Sequence, residues 1–144
     1  MNLNLKKGLE ITINEDPNRV VCFDPEDTAF AENFYALTRK LSEKQKEFDE
    51  KVKALETDER DEYGIQKTLP EQIALQKDIC AFFYAEIDAL FGEGTSKTAF
   101  GNSNSFDLIA QFFNGLSPLI KKTREEKVLK YVGNRTQRRS AGLK

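Results

Sequence analysis

Residues 70–131 read PEQIALQKDICAFFYAEIDALFGEGTSKTAFGNSNSFDLIAQFFNGLSPLIKKTREEKVLKY. Before the glycines, Ile73, Leu75, Ile79, Cys80, Phe82, Phe83, Ile87, Leu90 and Phe91 recur at three- and four-residue steps. That is the period of a helix with one buried face. After them, Phe106, Leu108, Ile109, Phe112, Phe113, Leu116, Leu119 and Ile120 repeat the spacing. Two amphipathic helices joined by residues 92–104 are therefore predicted, and because they hold most of the aromatic mass they should form the core. Pro70 suits the first turn of the first of these helices, with Thr68 or Leu69 ahead of it. In the second, Pro118 lacks an amide hydrogen and its ring crowds the preceding turn, which predicts a kink or break near Leu116-Ser117. The helix should resume from Lys121 to Tyr131 and end at Gly133-Asn134.

Working outward toward the N-terminus, Leu9-Glu10-Ile11-Thr12-Ile13 alternates apolar and polar, and Arg19-Val20-Val21-Cys22-Phe23 is rich in β-formers. The turn residues Asn14-Glu15-Asp16-Pro17-Asn18 between them predict a β-hairpin over residues 9–23 with a loop of about five residues. A lone two-stranded hairpin is marginal in water, so it must pack on the helices or pair with another chain. Asp24-Pro25-Glu26-Asp27 then carries helix-start signals, with Asp24 as N-cap and Pro25 in the first helical position. The helix predicted over residues 25–56 places Phe30, Phe34, Leu37, Leu41, Phe48, Val52 and Leu55 on a coiled-coil-like seam that skips a turn at Lys44-Gln45. At ~1.5 Å per residue it would extend ~48 Å, longer than a small core covers, so part of it should project or pack on a second copy. Residues 56–64 are too charged for core and should form a mobile connection.

The chain of 144 residues is 39% apolar and 32% charged, enough for one core with long solvated faces. The net charge of −2 hides a division. From Lys121 onward there are nine Lys or Arg against two Glu, a net of +7, which leaves 13 basic and 22 acidic residues, a net of −9, for the rest. Such asymmetry suggests an interaction tail. Histidine is absent, removing the commonest general base and metal ligand. Cys22 and Cys80 have no CxxC spacing and read as reduced packing residues. No apolar run approaches the ~20 residues of a membrane span. Met1-Asn2-Leu3-Asn4-Leu5-Lys6-Lys7-Gly8 has no secretory h-region, so a cytoplasmic setting is expected. In that setting the acceptor-like Asn134-Arg135-Thr136 has no meaning.

No catalytic constellation emerges, and neither cofactor nor metal is expected. A phosphate-loop reading of Gly92-Glu93-Gly94-Thr95-Ser96-Lys97 fails: no strand precedes it, Lys97 is misplaced, and Glu93 repels an anion. A helix C-cap and tight turn, with Phe100 folding back onto the core, accounts for it better. Asp24, Glu26 and Asp27 are spaced for capping rather than for metal or acid–base work. Candidate partner-binding residues are Phe30, Phe34, Leu37, Leu41, Phe48, Phe100, Phe112 and Phe113, the large apolar groups from which a docking stripe could be drawn. Arg135, Arg138 and Arg139 in the basic tail are candidates for contact with an acidic protein surface or, as the weaker reading, with nucleic-acid phosphates; only Tyr131 is at hand for base stacking.

Leu90-Phe91-Gly92-Glu93-Gly94-Thr95-Ser96, Ala99-Phe100-Gly101, Phe106-Asp107-Leu108-Ile109-Ala110-Gln111-Phe112-Phe113 and Pro118-Leu119-Ile120-Lys121-Lys122 together resemble tail-morphogenesis proteins of phages and prophages of Gram-positive bacteria, similar to tail assembly chaperones. Asp24-Pro25 followed by Phe30 and Phe34 fits the beginning of the same proteins. The resemblance spans about residues 20–132 in order. It implies a non-enzymatic role: binding the helical tape-measure protein, shielding its apolar stripes, and giving way to tail-tube protein in the host cytoplasm. The motifs bring no binding positions with them. A minor structural tail or tail-completion protein, and a small nucleic-acid-binding regulator, are the alternatives.

The sequence thus predicts a mainly α single domain over residues 1–134, with three to four helices, an N-terminal β-hairpin, a helical core over residues 70–132, and a disordered basic tail over 135–144. Self-association is expected, membrane insertion is not.

Overall fold

The computed structural model describes residues 1–5 and 8–142, with side chains as far as Glu125. The order is β1 (Leu9–Ile13), β2 (Asp16–Phe23), α1 (Thr28–Leu55), α2 (Leu69–Phe91), α3 (Thr95–Phe100) and α4 (Phe106–Gly142). The fold is mainly helical, with one antiparallel two-stranded hairpin at its N-terminal end.

The hairpin is tighter than its composition suggests. Asn14 and Glu15, at φ 54° and 60°, form a two-residue turn of the left-handed kind that matches strand twist. Ile13 then faces Asp16, with a bulge between Thr12 and Ile13, and Asp16-Pro17-Asn18 belongs to β2 rather than to a five-residue loop. Pro17 is tolerated because it lies beside a bulge in an edge strand. Opposed pairs Ile11/Val21 and Leu9/Phe23 face the helices, while Glu10/Cys22 and Thr12/Val20 face away. Cys22 is therefore exposed, not a packing residue; Cys80 is fully buried as expected.

Helix α1 begins three residues later than predicted. Asp24 accepts the Glu26 amide at 3.1 Å, and the Asp27 amide donates to the Asp24 carbonyl at 3.2 Å, closing a turn with Pro25 at its first corner. Pro25 is buried there, and Asp27 supplies the N-cap, its carboxylate accepting from the Ala29 amide at 2.9 Å.

The far half of α1 does not stand bare. Residues 56–68 form an ordered turn: Asp61 accepts the amides of Tyr63 at 2.8 Å and Ile65 at 3.0 Å, and Arg60 bridges Gln66. Satisfied carboxylate-to-amide bonds and Gly64 at φ +78° give this charged stretch the local order that composition alone did not suggest. The Thr68 hydroxyl donates to the Leu55 carbonyl, and α2 returns antiparallel to α1, with Lys40 beside Glu86 and Lys44 over the Phe82 ring. Lys44 thus occupies the seam position where the apolar repeat skips.

Helix α4 crosses this pair. Phe106 stacks on Phe48 with ring centroids 6.0 Å apart, Phe113 meets Phe34 at 5.6 Å, and Arg124 donates to the Glu26 carbonyl at 3.1 Å. Pro118 does not break it. The carbonyl that loses its partner belongs to exposed Asn114, where water can satisfy it, and the Ser117 hydroxyl donates back to Phe113 at 2.7 Å. The helix also passes the expected end at Gly133-Asn134 and runs to Gly142; a single glycine costs a helix only ~1 kcal/mol, and Arg and Gln around it favour helix. The side chains of the predicted basic tail lie outside those described.

Around Phe91 the core is aromatic. Its ring meets Phe30 at 5.3 Å, Phe112 at 5.4 Å, Phe23 at 5.9 Å and Phe34 at 6.3 Å, mostly edge to face, the preferred geometry for such pairs. Hairpin, α1, α2 and α4 meet at this point.

Candidate functional site

The surface best shaped for recognition follows from where α4 stops covering α1 and α2. Phe106, the first residue of α4, lies over Phe48 and Phe83, so among the described residues the two long helices have no third helix across them beyond that level. The stripe Leu75, Ile79, Phe82 on α2 faces Phe48 on α1 and forms an open groove of about 200 Å³. Phe48, Leu75 and Phe82 are half-buried, Ile79 buried. Lys44, Glu47, Lys51 and Asp78 form the rim. Glu47 lies 3.1 Å from Lys51 and 3.6 Å from Lys44; the Lys51 hydrogen bond first, and the Lys44 charge second, hold its carboxyl below the usual range. An apolar floor with alternating charges at its edge suits an amphipathic helix laid along it.

Two wider hollows lie at the hairpin end. One of about 520 Å³ is lined by Cys22, Asp27, Asn33, Lys40, Glu86 and Phe91; another of about 750 Å³ lies among Leu5, Leu9, Glu10, Glu26 and Thr123. In the first, Lys40 and Glu86 lie 3.8 Å apart as an ion pair on the wall. Among the described residues no three Cys, Asp or Glu come together as a metal site, and no helix is long and apolar enough to cross a membrane.

The residues singled out in the sequence are distributed unevenly. Phe30, Phe34, Leu37, Leu41, Phe100 and Phe113 are buried in the common core, with Phe30 and Leu37 also in the wall of the 520 Å³ hollow. Phe112 is half-buried beside Phe91 and Phe100; only Phe48 reaches the groove. Arg135, Arg138 and Arg139 fall on the α4 backbone, but their side chains lie outside those described. Leu75, Ile79 and Phe82 were not singled out as binding residues, although their 4-then-3 spacing was visible; what the sequence lacked was the level at which α4 begins to cover them.

The glycine-containing connection has a structural function. It holds a six-residue helix, α3, fixed at both ends by charge. Asp88 of α2 accepts the Ser96 amide at 2.8 Å and the Ser96 hydroxyl at 3.1 Å, and Arg19 of β2 donates to the carbonyls of Thr98 at 2.9 Å and Ala99 at 2.7 Å. A carboxylate at the amide end and a guanidinium at the carbonyl end satisfy groups that so short a helix leaves unpaired. Phe100 at its end is buried and stacks on Tyr84 with centroids 5.2 Å apart.

The sequence matches DUF6673, described as a family of unknown function, over residues 18–142. The chain belongs to this family. The match takes in Arg19, Asp88 and both walls of the groove, and leaves β1 and the segment before it outside. No curated protein and no solved structure matches the chain.

Proposed function

We propose that this DUF6673 chain is a non-enzymatic holder of helical protein segments, acting in phage tail morphogenesis as a tail assembly chaperone for the tape-measure protein. The observation that supports it is the Phe48–Leu75–Ile79–Phe82 groove at the two-helix end of α1 and α2, open to solvent and rimmed by charges of both signs. A helix is about 10–12 Å across and offers one apolar stripe, the complement of such a floor. The likeness of Leu90–Ser96 and Phe106–Phe113 to tail-morphogenesis proteins supports the assignment of that client. The host cytoplasm is the proposed setting, and tail-tube protein the proposed successor on the client.

Co-expression with a tape-measure protein tests the reading. The chain should keep that protein soluble, co-purify with it, and be missing from purified particles. Retention in the particles would instead make it a minor structural or tail-completion protein. Binding to DNA with a steep salt dependence, lost on truncation after Gly133, would make it a nucleic-acid-binding regulator.

A further inference from the structure

Exposed large apolar side chains cluster at the start of the chain. Met1, Leu3 and Leu5 are 121%, 77% and 87% exposed, and Leu9 and Val20 of the hairpin are also exposed. Met1-Asn2-Leu3-Asn4-Leu5 alternates strictly, as a strand with one buried face does, yet among the described residues it pairs with nothing. Next to it, β1 has the same length, five residues, and pairs only with β2, leaving its other edge open.

We propose that this edge is filled by residues 1–5 of a second copy of the chain, exchanged reciprocally to give a two-fold dimer. Antiparallel addition with Leu3 opposite Ile11 also sets Met1 opposite Ile13 and Leu5 opposite Leu9. Every apolar side chain of the added strand then lies on the inner face of the hairpin, and Asn2 and Asn4 lie outward with Thr12 and Glu10. A shift by one residue would reverse all five, so the pattern specifies the register. Gly8, at φ +99°, passes the end of β2 so closely that a Cβ would lie 2.7 Å from the Phe23 carbonyl oxygen, and Leu5 lines the same hollow as Pro25 and Glu26 and is not paired with its own β1. Reciprocal exchange gives each two-stranded hairpin a third strand and covers the open edge of β1 in both copies. This inference is independent of the client-binding role, since it concerns the opposite end of α1.

Sedimentation of the full chain tests it, with Leu3→Asp/Leu5→Asp as the variant; both residues are exposed, so folding should survive and the helical circular dichroism should not change. Because the exchange is reciprocal, four leucines per dimer are no longer buried, and a dimer weakened at least about ten-thousandfold is expected. In a Cys22→Ser background, mixing Asn4→Cys with Glu10→Cys should form a disulfide between chains. A monomeric parent chain, a dimer indifferent to the aspartates, or a disulfide that forms only within a chain carrying both cysteines would overturn the proposal.

Discussion

The carboxylate of Asp88 holds the first turn of a different helix through Ser96, accepting its amide at 2.8 Å and its hydroxyl at 3.1 Å. Since α3 is too short to persist alone, this contact and the Arg19 bonds at its other end decide whether Phe100 reaches the core. Asp88→Ala should destabilise the protein by about 1–2 kcal/mol, and Asp88→Asn by less, because the amide oxygen can still accept. Urea unfolding of both variants measures this; equal losses would argue against the capping role.

Arg19→Ala should cost about 1.5–3 kcal/mol, the range for hydrogen bonds from a charged donor. Because Arg19 and Asp88 secure one helix, the double variant should lose less than the sum of the two single variants. A double-mutant cycle by urea unfolding reads the coupling, and strict additivity would contradict a shared element.

Glu15 occupies the left-handed region without being glycine or asparagine. Glu15→Gly should therefore stabilise the hairpin by up to about 1 kcal/mol, by removing a steric cost that glycine does not bear. A raised urea midpoint with unchanged slope is the expected result.

Burial raises the Cys80 thiol above its ordinary range, and burial is also the main cause raising the Tyr84 hydroxyl. In each case the folded state holds its proton more tightly than the unfolded chain. The resulting stability is complete at neutral pH and falls as pH climbs through and above the ordinary thiol value of about 8.5. Urea midpoints followed into the alkaline range should fall, and fall less in Cys80→Ala. Thiol reagent at neutral pH should label exposed Cys22 at once and Cys80 only on unfolding.

The helical periods of Ile73–Phe91 and Phe106–Ile120 identified α2, the first part of α4 and the core, because burial of a stripe is a local property of spacing. The reading went astray where a distant or geometric partner decided the outcome. Pro25 was placed inside a helix because its turn with Asp24 and Asp27 uses the same residues as a cap. Pro118 reads as a break in α4 because nothing in the sequence says that Asn114, whose carbonyl it frees, is exposed. Asp88 and Arg19 carry no signal in the sequence because their partners lie eight and about eighty positions away. The groove lining was legible as a stripe, but its exposure depends on the meeting of Phe106 with Phe48, a contact between residues far apart in the chain.

Titration of a fluorescent helical segment of the tape-measure protein against the parent chain and Leu75→Glu tests the central claim most directly, since residue 75 is half-buried at the groove. The account predicts saturable binding by the parent, and binding weakened at least about tenfold by the glutamate, with the urea midpoint little changed. Equal binding by both proteins, or none by the parent, would contradict it.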